Sequence, residues 1–299
     1  MDFLSKEKNS KKADSNESEV DRAAPRKSAR RILEQEITEG LGELRRTAGG
    51  LFISGLSAGL DVGFSIFLMA IFLSLAGDKL SEPIIELFKA NLYAVGFIFV
   101  IVGRSELFTE HTTLAVLPVL NGRSDLKALA RLWSLVYTSN LLGVSIFAAL
   151  VVIIGPALGV IDPAVWGEMA HDLVAHEWWI ILMSGVLAGW LMGLLSWLVT
   201  AGRDTISQIV LVWLVTSAIG FAHLHHSIVG SAEVLAGIFA GQGPSWAGFF
   251  HFLLWTTIGN SIGGVFLVAV IKYGHVIRTE KEVEDVELAE PPGETKTHN

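Results

Sequence analysis

Hydrophobic positions crowd into six stretches of the chain, at about residues 50–75, 91–121, 130–155, 178–200, 206–241 and 249–272. Each is long enough for the ~20 residues that a helix needs to cross the apolar part of a bilayer. The pattern predicts an all-α integral membrane protein with six transmembrane helices. The second and fifth stretches are too long and too polar for one unbroken helix, so both spans are read as broken. Ahead of them, residues 28–48 carry Ile32, Leu33, Ile37, Leu41 and Leu44 at helical spacing among Arg and Glu residues. That is the pattern of an amphipathic helix lying on the membrane surface. Residues 1–27 are rich in Lys, Glu, Ser and Asn, a composition that cannot bury a core and predicts a disordered tail. Residues 276–299 are expected to form a second, solvated tail.

The six stretches also repeat. Ser54 opens the segment SGLSAGLDVGFSIFL, and Ser184 opens SGVLAGWLMGLLSWL, with Ser, Gly, Ala, Gly, Gly and the last Leu in register. The third stretch holds Asn140 and Gly143, and the sixth holds Asn260 and Gly263 at the same spacing. The broken stretches fall between these pairs. The chain therefore reads as two three-span units, at 49–155 and 178–275, together making the transport domain 49–275. Because three is odd, the second unit enters the membrane from the opposite side. In such inverted repeats the broken helices meet near the bilayer midplane, where substrate sites tend to lie. Gly55, Gly59 and Gly63, like Gly185, Gly189 and Gly193, are spaced for close helix packing and are assigned no transport chemistry.

Composition sharpens the class. Of 299 residues 51% are hydrophobic and 17% charged, and the mean hydropathy is +0.51, which favours a membrane protein. Cysteine is absent, which excludes disulfides, thiolate nucleophiles and thiolate metal sites. The net charge of -8 says little, because charge sits mainly in the tails. No early apolar segment marks a signal peptide, so the first span is expected to direct insertion. Lys and Arg crowd the N-terminal tail, the second loop (Arg123, Lys127, Arg131), the fourth (Arg203) and the region after the last span (Lys272, Arg278, Lys281), whereas residues 156–177 and 242–248 have none. The positive-inside rule then places both termini in the cytoplasm, with Lys79 and Lys89 of the first loop against it.

The chemistry lies in the breaks. The first reads GRSELFTEHTT over residues 103–113, and Arg104, Glu106, Glu110 and His111 cannot all face lipid. A loop folded back into the protein shelters them, with Arg104 and Glu106 either serving a ligand or neutralising each other. Leu107 and Phe108 are candidates for an apolar constriction, and Thr109 either caps the next half-helix or offers its hydroxyl to a ligand. The second break lies in 220–241, with His223, His225, His226 and Glu233 at membrane depth, where ionisable groups are expensive and mark ion or substrate paths. A half-helix beginning near Ser227 presents its positive end toward His226 and attracts anions. A histidine there exchanges a proton near neutral pH. Protonating a small anion removes most of the penalty for entering an apolar slit.

The stretches SELFTEHT, HHSIVGSAE and TIGNSIGG, with Trp133, Tyr137, Asn140 and Gly143, resemble the formate/nitrite transporter family over about residues 45–275. The resemblance points to a branch with a long charged N-terminal tail. It implies an aquaporin-like inverted repeat and a homopentamer of six-span protomers in the cytoplasmic (inner) membrane, each with its own pore for small monovalent anions or their conjugate acids, with protons as the second partner. It also implies that Leu107 and Phe108 line a slit, that Thr109 serves the central site, and that the central histidine precedes a small polar and an aliphatic residue, as His226 precedes Ser227 and Ile228. The sequence departs from the family pattern in several places. His223 follows Gly220, Phe221 and Ala222 one turn before His226, so either histidine can be the central one, and the residues after His226 favour it. The usual lysine before the fourth span is absent, Arg104 stands where a small residue is common, and Gly189 stands where an asparagine is common.

Two other classes compete with an anion channel. A channel for a small neutral solute has no evident use for a central histidine, and aquaporin-type NPA motifs are absent. A membrane-embedded metalloenzyme would use His223, His225, His226 and Glu233, but His225 and His226 diverge on a helix and no HExxH is present. The sequence thus predicts a transporter rather than an enzyme, with no cofactor, no metal and no nucleic-acid partner.

Overall fold

The computed structural model describes residues 26–76 and 79–279, and everything in that range is helix or helix connection. Residues 1–25 of the expected tail 1–27, and the chain end 280–299, lie outside the described residues. Helix α1, Ala29–Arg45, opens with Ser28, whose hydroxyl accepts the Arg31 N–H. It is followed by α2 (Ala48–Ala76), α3 (Glu82–Gly103), two short helices α4 (Phe108–Leu114) and α5 (Leu117–Leu120), and α6 (Leu126–Ala157). Then come α7 (Pro163–Val174), α8 (Trp178–Ala201), α9 (Thr205–Phe221), α10 (Ser227–Phe239) and α11 (Trp246–Thr279). Five of these, α2, α3, α6, α8 and α11, are long and apolar enough to cross a membrane, and α9 and α10 are shorter apolar helices.

Several boundaries differ from the hydropathy reading. Helix α3 begins at Glu82, not near residue 91, so Lys89 lies inside a helix and not in the first loop. Polar residues diluted the signal, yet Lys89 pairs with Glu86, and Asn91 donates to the Leu87 carbonyl and accepts from Trp213 Nε1. Ser81 takes the N-cap position without a side-chain bond, and Pro83 sits in the first turn. Helix α6 likewise starts at Leu126, capped by Asp125. Helix α11 runs on to Thr279 through a π-helical turn at Gly263–Val270. Within it the Gly264 carbonyl accepts the Thr113 hydroxyl at 2.9 Å.

Two close helix pairs build the frame. In α2, a Cβ on Gly59 would collide with the Asn140 carbonyl, and Gly63 leaves room for the Phe147 ring of α6. In α8, a Cβ on Gly189 would strike the Asn260 carbonyl of α11, and a Cβ on Gly263 the Val186 carbonyl. Helix α3 packs along α9, α10 against α6 and α7, and α4 against α8 and α11. The short helix after each interruption is thus clasped by two helices distant in sequence, α8 and α11 for α4 and α6 and α7 for α10. Outside, Leu142, Ile146, Leu150 and Ile153 of α6 form one exposed apolar stripe.

Candidate functional site

The two interruptions are residues 104–107, between α3 and α4, and 222–226, between α9 and α10. Helix α3 ends at Arg104, whose φ of 57° is left-handed. From there the chain turns back. Asn140 of α6 then makes three bonds at once: its Oδ1 accepts the Phe108 N–H at 2.8 Å, and its amide donates to the carbonyls of Gly55 (2.7 Å) and Glu106 (2.8 Å). Ser54 adds a fourth by accepting the Glu106 N–H.

The second interruption repeats this set position for position. Asn260 Oδ1 accepts the Ser227 N–H at 2.8 Å, its amide donates to the carbonyls of Gly185 (2.9 Å) and His225 (3.0 Å), and Ser184 accepts the His225 N–H. Buried backbone that has left its helix must find partners elsewhere, and the two asparagines provide them. Sequence reading paired Asn140 with Asn260 as markers of a repeat but did not foresee that they clamp the breaks.

Between the clamps, His226 Nε2 lies 2.9 Å from the Thr109 hydroxyl, and both residues are buried. His226 is also the N-cap of α10, where its Nδ1 accepts the Val229 N–H at 3.3 Å. An accepting Nδ1 leaves the hydrogen of the neutral ring on Nε2, directed at Thr109. Phe97 of α3 presents its ring edge-on to the imidazole at 5.2 Å. Leu107 is fully buried, and Phe108 packs edge-to-face on Tyr137 and Trp133. The Ser227 hydroxyl is buried and has no hydrogen-bond partner among the described residues. Phe97 was missed in the sequence because nothing local distinguishes it from other apolar residues of α3.

Other expected roles change. Thr109 does not cap α4: the cap position is Leu107, without a side-chain bond, and the Thr109 hydroxyl is turned to His226. Arg104 and Glu106 do not neutralise each other. Glu106 binds Arg46, which follows α1, and also His111, whereas Arg104 is exposed at the rim of a cavity. Arg46 also pairs with Glu43 of α1 at 2.8 Å, and burial pushes the Glu43 carboxyl upward. His225 is held at both ring nitrogens, by Ser184 Oγ at 2.8 Å and the Leu173 carbonyl at 3.0 Å, a bracing role. His223 stands apart from Thr109, 60% exposed in its side chain, with a left-handed φ of 50° and its Nε2 2.9 Å from Glu86.

Cavities approach the Thr109–His226 contact from two sides. One, of about 310 Å³, lies under α1 and is lined by Glu39, Glu43, Arg104, Glu106, Glu110 and His111. The other, of about 60 Å³, lies by α7 and is lined by Lys89, Tyr93, Asp172, His223, His226 and Glu233. Along α3 the first cavity reaches Ile101 and the second Tyr93, eight positions away, or roughly 12 Å along a helix. Among the described residues no group of three or more His, Asp or Glu side chains is placed to hold a metal ion.

The formate/nitrite transporter family profile matches residues 30–274. The inner membrane protein YfdC of Escherichia coli strain K12 is 32% identical over 262 residues, covering 86% of this chain and 82% of that protein. The fold matches a solved FNT family ion channel with TM-score 0.73 at 23% identity, over 82% of this chain and 98% of that one. It also matches a pentameric formate channel solved with formate bound, with TM-score 0.61 at 18% identity, over 80% and 98%. The chain therefore belongs to the formate/nitrite transporter family, whose members are channels and transporters and not enzymes.

Proposed function

We propose that this chain forms a homopentameric channel of the cytoplasmic (inner) membrane, each protomer passing a small monovalent anion or its conjugate acid past His226. In this reading 49–275 is a six-span transport domain of two inverted repeats, 49–155 and 178–275, in which the spans α3–α5 and α9–α10 are the broken ones. Residues 28–48 are an interfacial helix, and both termini face the cytoplasm. The duplicated asparagine clamps support the repeat, the exposed stripe of α6 supports contact with lipid or a neighbouring protomer, and the pentameric formate channel of the same fold supports the assembly and the substrate class.

One observation carries the mechanism: His226 turns Nε2 to the Thr109 hydroxyl while its Nδ1 is engaged by the Val229 N–H. An anion drawn to the N-terminal end of α10 meets the Thr109 hydroxyl and the unpartnered Ser227 hydroxyl. A proton arriving at Nδ1, as the long Val229 bond opens, makes the ring an imidazolium. Its Nε2 proton then passes to Thr109 Oγ1 while the Thr109 hydrogen passes to the anion. The products are a neutral ring and a neutral acid, which crosses the apolar constriction at Leu107 and Phe108 without the penalty a bare anion pays. Glu106 and Arg104 set the charge of the cavity beyond.

The test is uptake of formate, nitrite, acetate and hydrosulfide by proteoliposomes between pH 5.5 and 8. Uptake should rise as pH falls and collapse in His226→Ala while His223→Ala retains it. Loss in His223→Ala alone moves the central site one turn earlier. No flux of any of these solutes through folded protein overturns the reading in favour of a neutral solute.

A further inference from the structure

One group beside the path has no part in this relay. Glu233 lies two turns after His226 on α10, and the spacing 226, 230, 233 puts His226, Gly230 and Glu233 on one face, all three lining the cavity by α7. Glu233 is 8% exposed, yet among the described residues no hydrogen bond or ion pair reaches its carboxylate. The charged and titratable groups around the same cavity are Lys89 and Tyr93 from α3, Asp172 from α7, His223 from the interruption and His226 from its own helix. Lys89 is held from behind by Glu86, with Nζ 2.9 Å from the carboxylate, and the other Glu86 oxygen approaches His223. Glu86, Lys89 and Tyr93 follow one another at helical spacing toward Phe97, which touches His226. A cation and an unpartnered carboxylate therefore flank the approach to the central imidazole.

We propose that Glu233 is the specificity-determining residue of this mouth, admitting a small monovalent oxyanion only when its own carboxyl is protonated, with Lys89 as the counter-charge. Protonated, Glu233 offers an O–H donor opposite the Lys89 ammonium, and the two form a site for one carboxylate-like anion. Ionised, it takes the Lys89 charge for itself and, with Asp172, repels the anion. Entry of an anion from this side is then tied to uptake of a proton ahead of His226. The inference rests on the anion-channel reading.

Formate uptake into proteoliposomes, measured from pH 5.5 to 8 for wild type, Glu233→Gln and Lys89→Gln, tests it. Glu233→Gln keeps the shape and removes the charge. Its uptake relative to wild type should be near one at pH 5.5 and climb to on the order of tenfold at pH 8. Lys89→Gln should raise the KM for formate on the order of tenfold across the range, and it remains informative should Glu233→Gln not assemble, because the Lys89 side chain is partly exposed. A pH-independent Glu233→Gln ratio, or an unchanged KM in Lys89→Gln, with wild type transporting normally, overturns this proposal alone. Wild type that carries no formate at any pH overturns it together with the anion-channel reading.

Discussion

At the first interruption the residue whose N–H meets Ser54 is Glu106, and at the second the residue whose N–H meets Ser184 is His225. The backbone around them is the same: an asparagine accepts one N–H and donates to two carbonyls in both places. The side chains diverge. Glu106 is an ionic hub tied to His111 and, through Arg46, to the helix α1 outside the bundle. His225 is a brace tied to Ser184 and to α7. Broken backbone in an apolar bundle dictates hydrogen-bond partners and leaves the adjacent side chain free. The comparison teaches that the two interruptions share what the backbone requires, while each is anchored to a different outer element.

The largest effects should come from the shared part. Asn140→Ala or Asn260→Ala leaves one carbonyl and one N–H of the interruption buried without partners and removes a second bond to a helical carbonyl, at about 2–5 kcal/mol of stability. The thermal midpoint of the purified protein should fall by a similar amount in both, and a variant that tolerates one loss and not the other breaks the equivalence. The divergent part should be unequal. Glu106→Gln strands His111 and weakens Arg46, at about 2–4 kcal/mol, whereas His225→Gln keeps a donor for the Leu173 carbonyl and costs about 1 kcal/mol. Equal destabilisation of the two would erase the contrast. Thr109→Val removes the partner of His226 Nε2, worth about 1–2 kcal/mol. Formate flux in that variant should drop on the order of tenfold, with Thr109→Ser close to wild type.

The sequence made the frame readable because its cues are periodic or duplicated. The apolar stretches, the glycine series and the Asn–Gly pairs each stand out without knowledge of contacts, and His226 was marked by the residues that follow it. What escaped reading depends on long-range placement. Lys89 reads as a loop residue until Asn91 is seen to be satisfied by Leu87 and Trp213, which lets α3 extend over it. Arg46 is 60 positions from Glu106, whereas Arg104, only two away, made the nearer guess. Glu36 did leave a signal: it falls between Ile32, Leu33 and Ile37, within the apolar stripe of α1, where a carboxylate needs a reason.

That reason gives the smallest but most selective probe of the comparison, because only the first interruption is reached through α1. Glu36 is fully buried and accepts hydrogen bonds from Ser196 and Thr200 of α8. Burial pushes its carboxyl up to about 7, and the two hydroxyls offset part of that rise. A raised value means that the docked helix favours the protonated acid. The contribution is therefore full below the ordinary value of 4.5 and is lost as pH rises through about 7. Between pH 6 and 8 the docking equilibrium of α1 should weaken by about tenfold. Hydrogen exchange of the α1 amides, corrected for the intrinsic rate, should show that loss in wild type and a flat response in Glu36→Gln. As α1 loosens it draws Arg46 from Glu106, so exchange at the start of α4 should rise with it while the start of α10, held by Asn260 and His226, stays protected. Equal protection of α1 at both pH values, or parallel loosening of both interruptions, would show that the first is not anchored through α1.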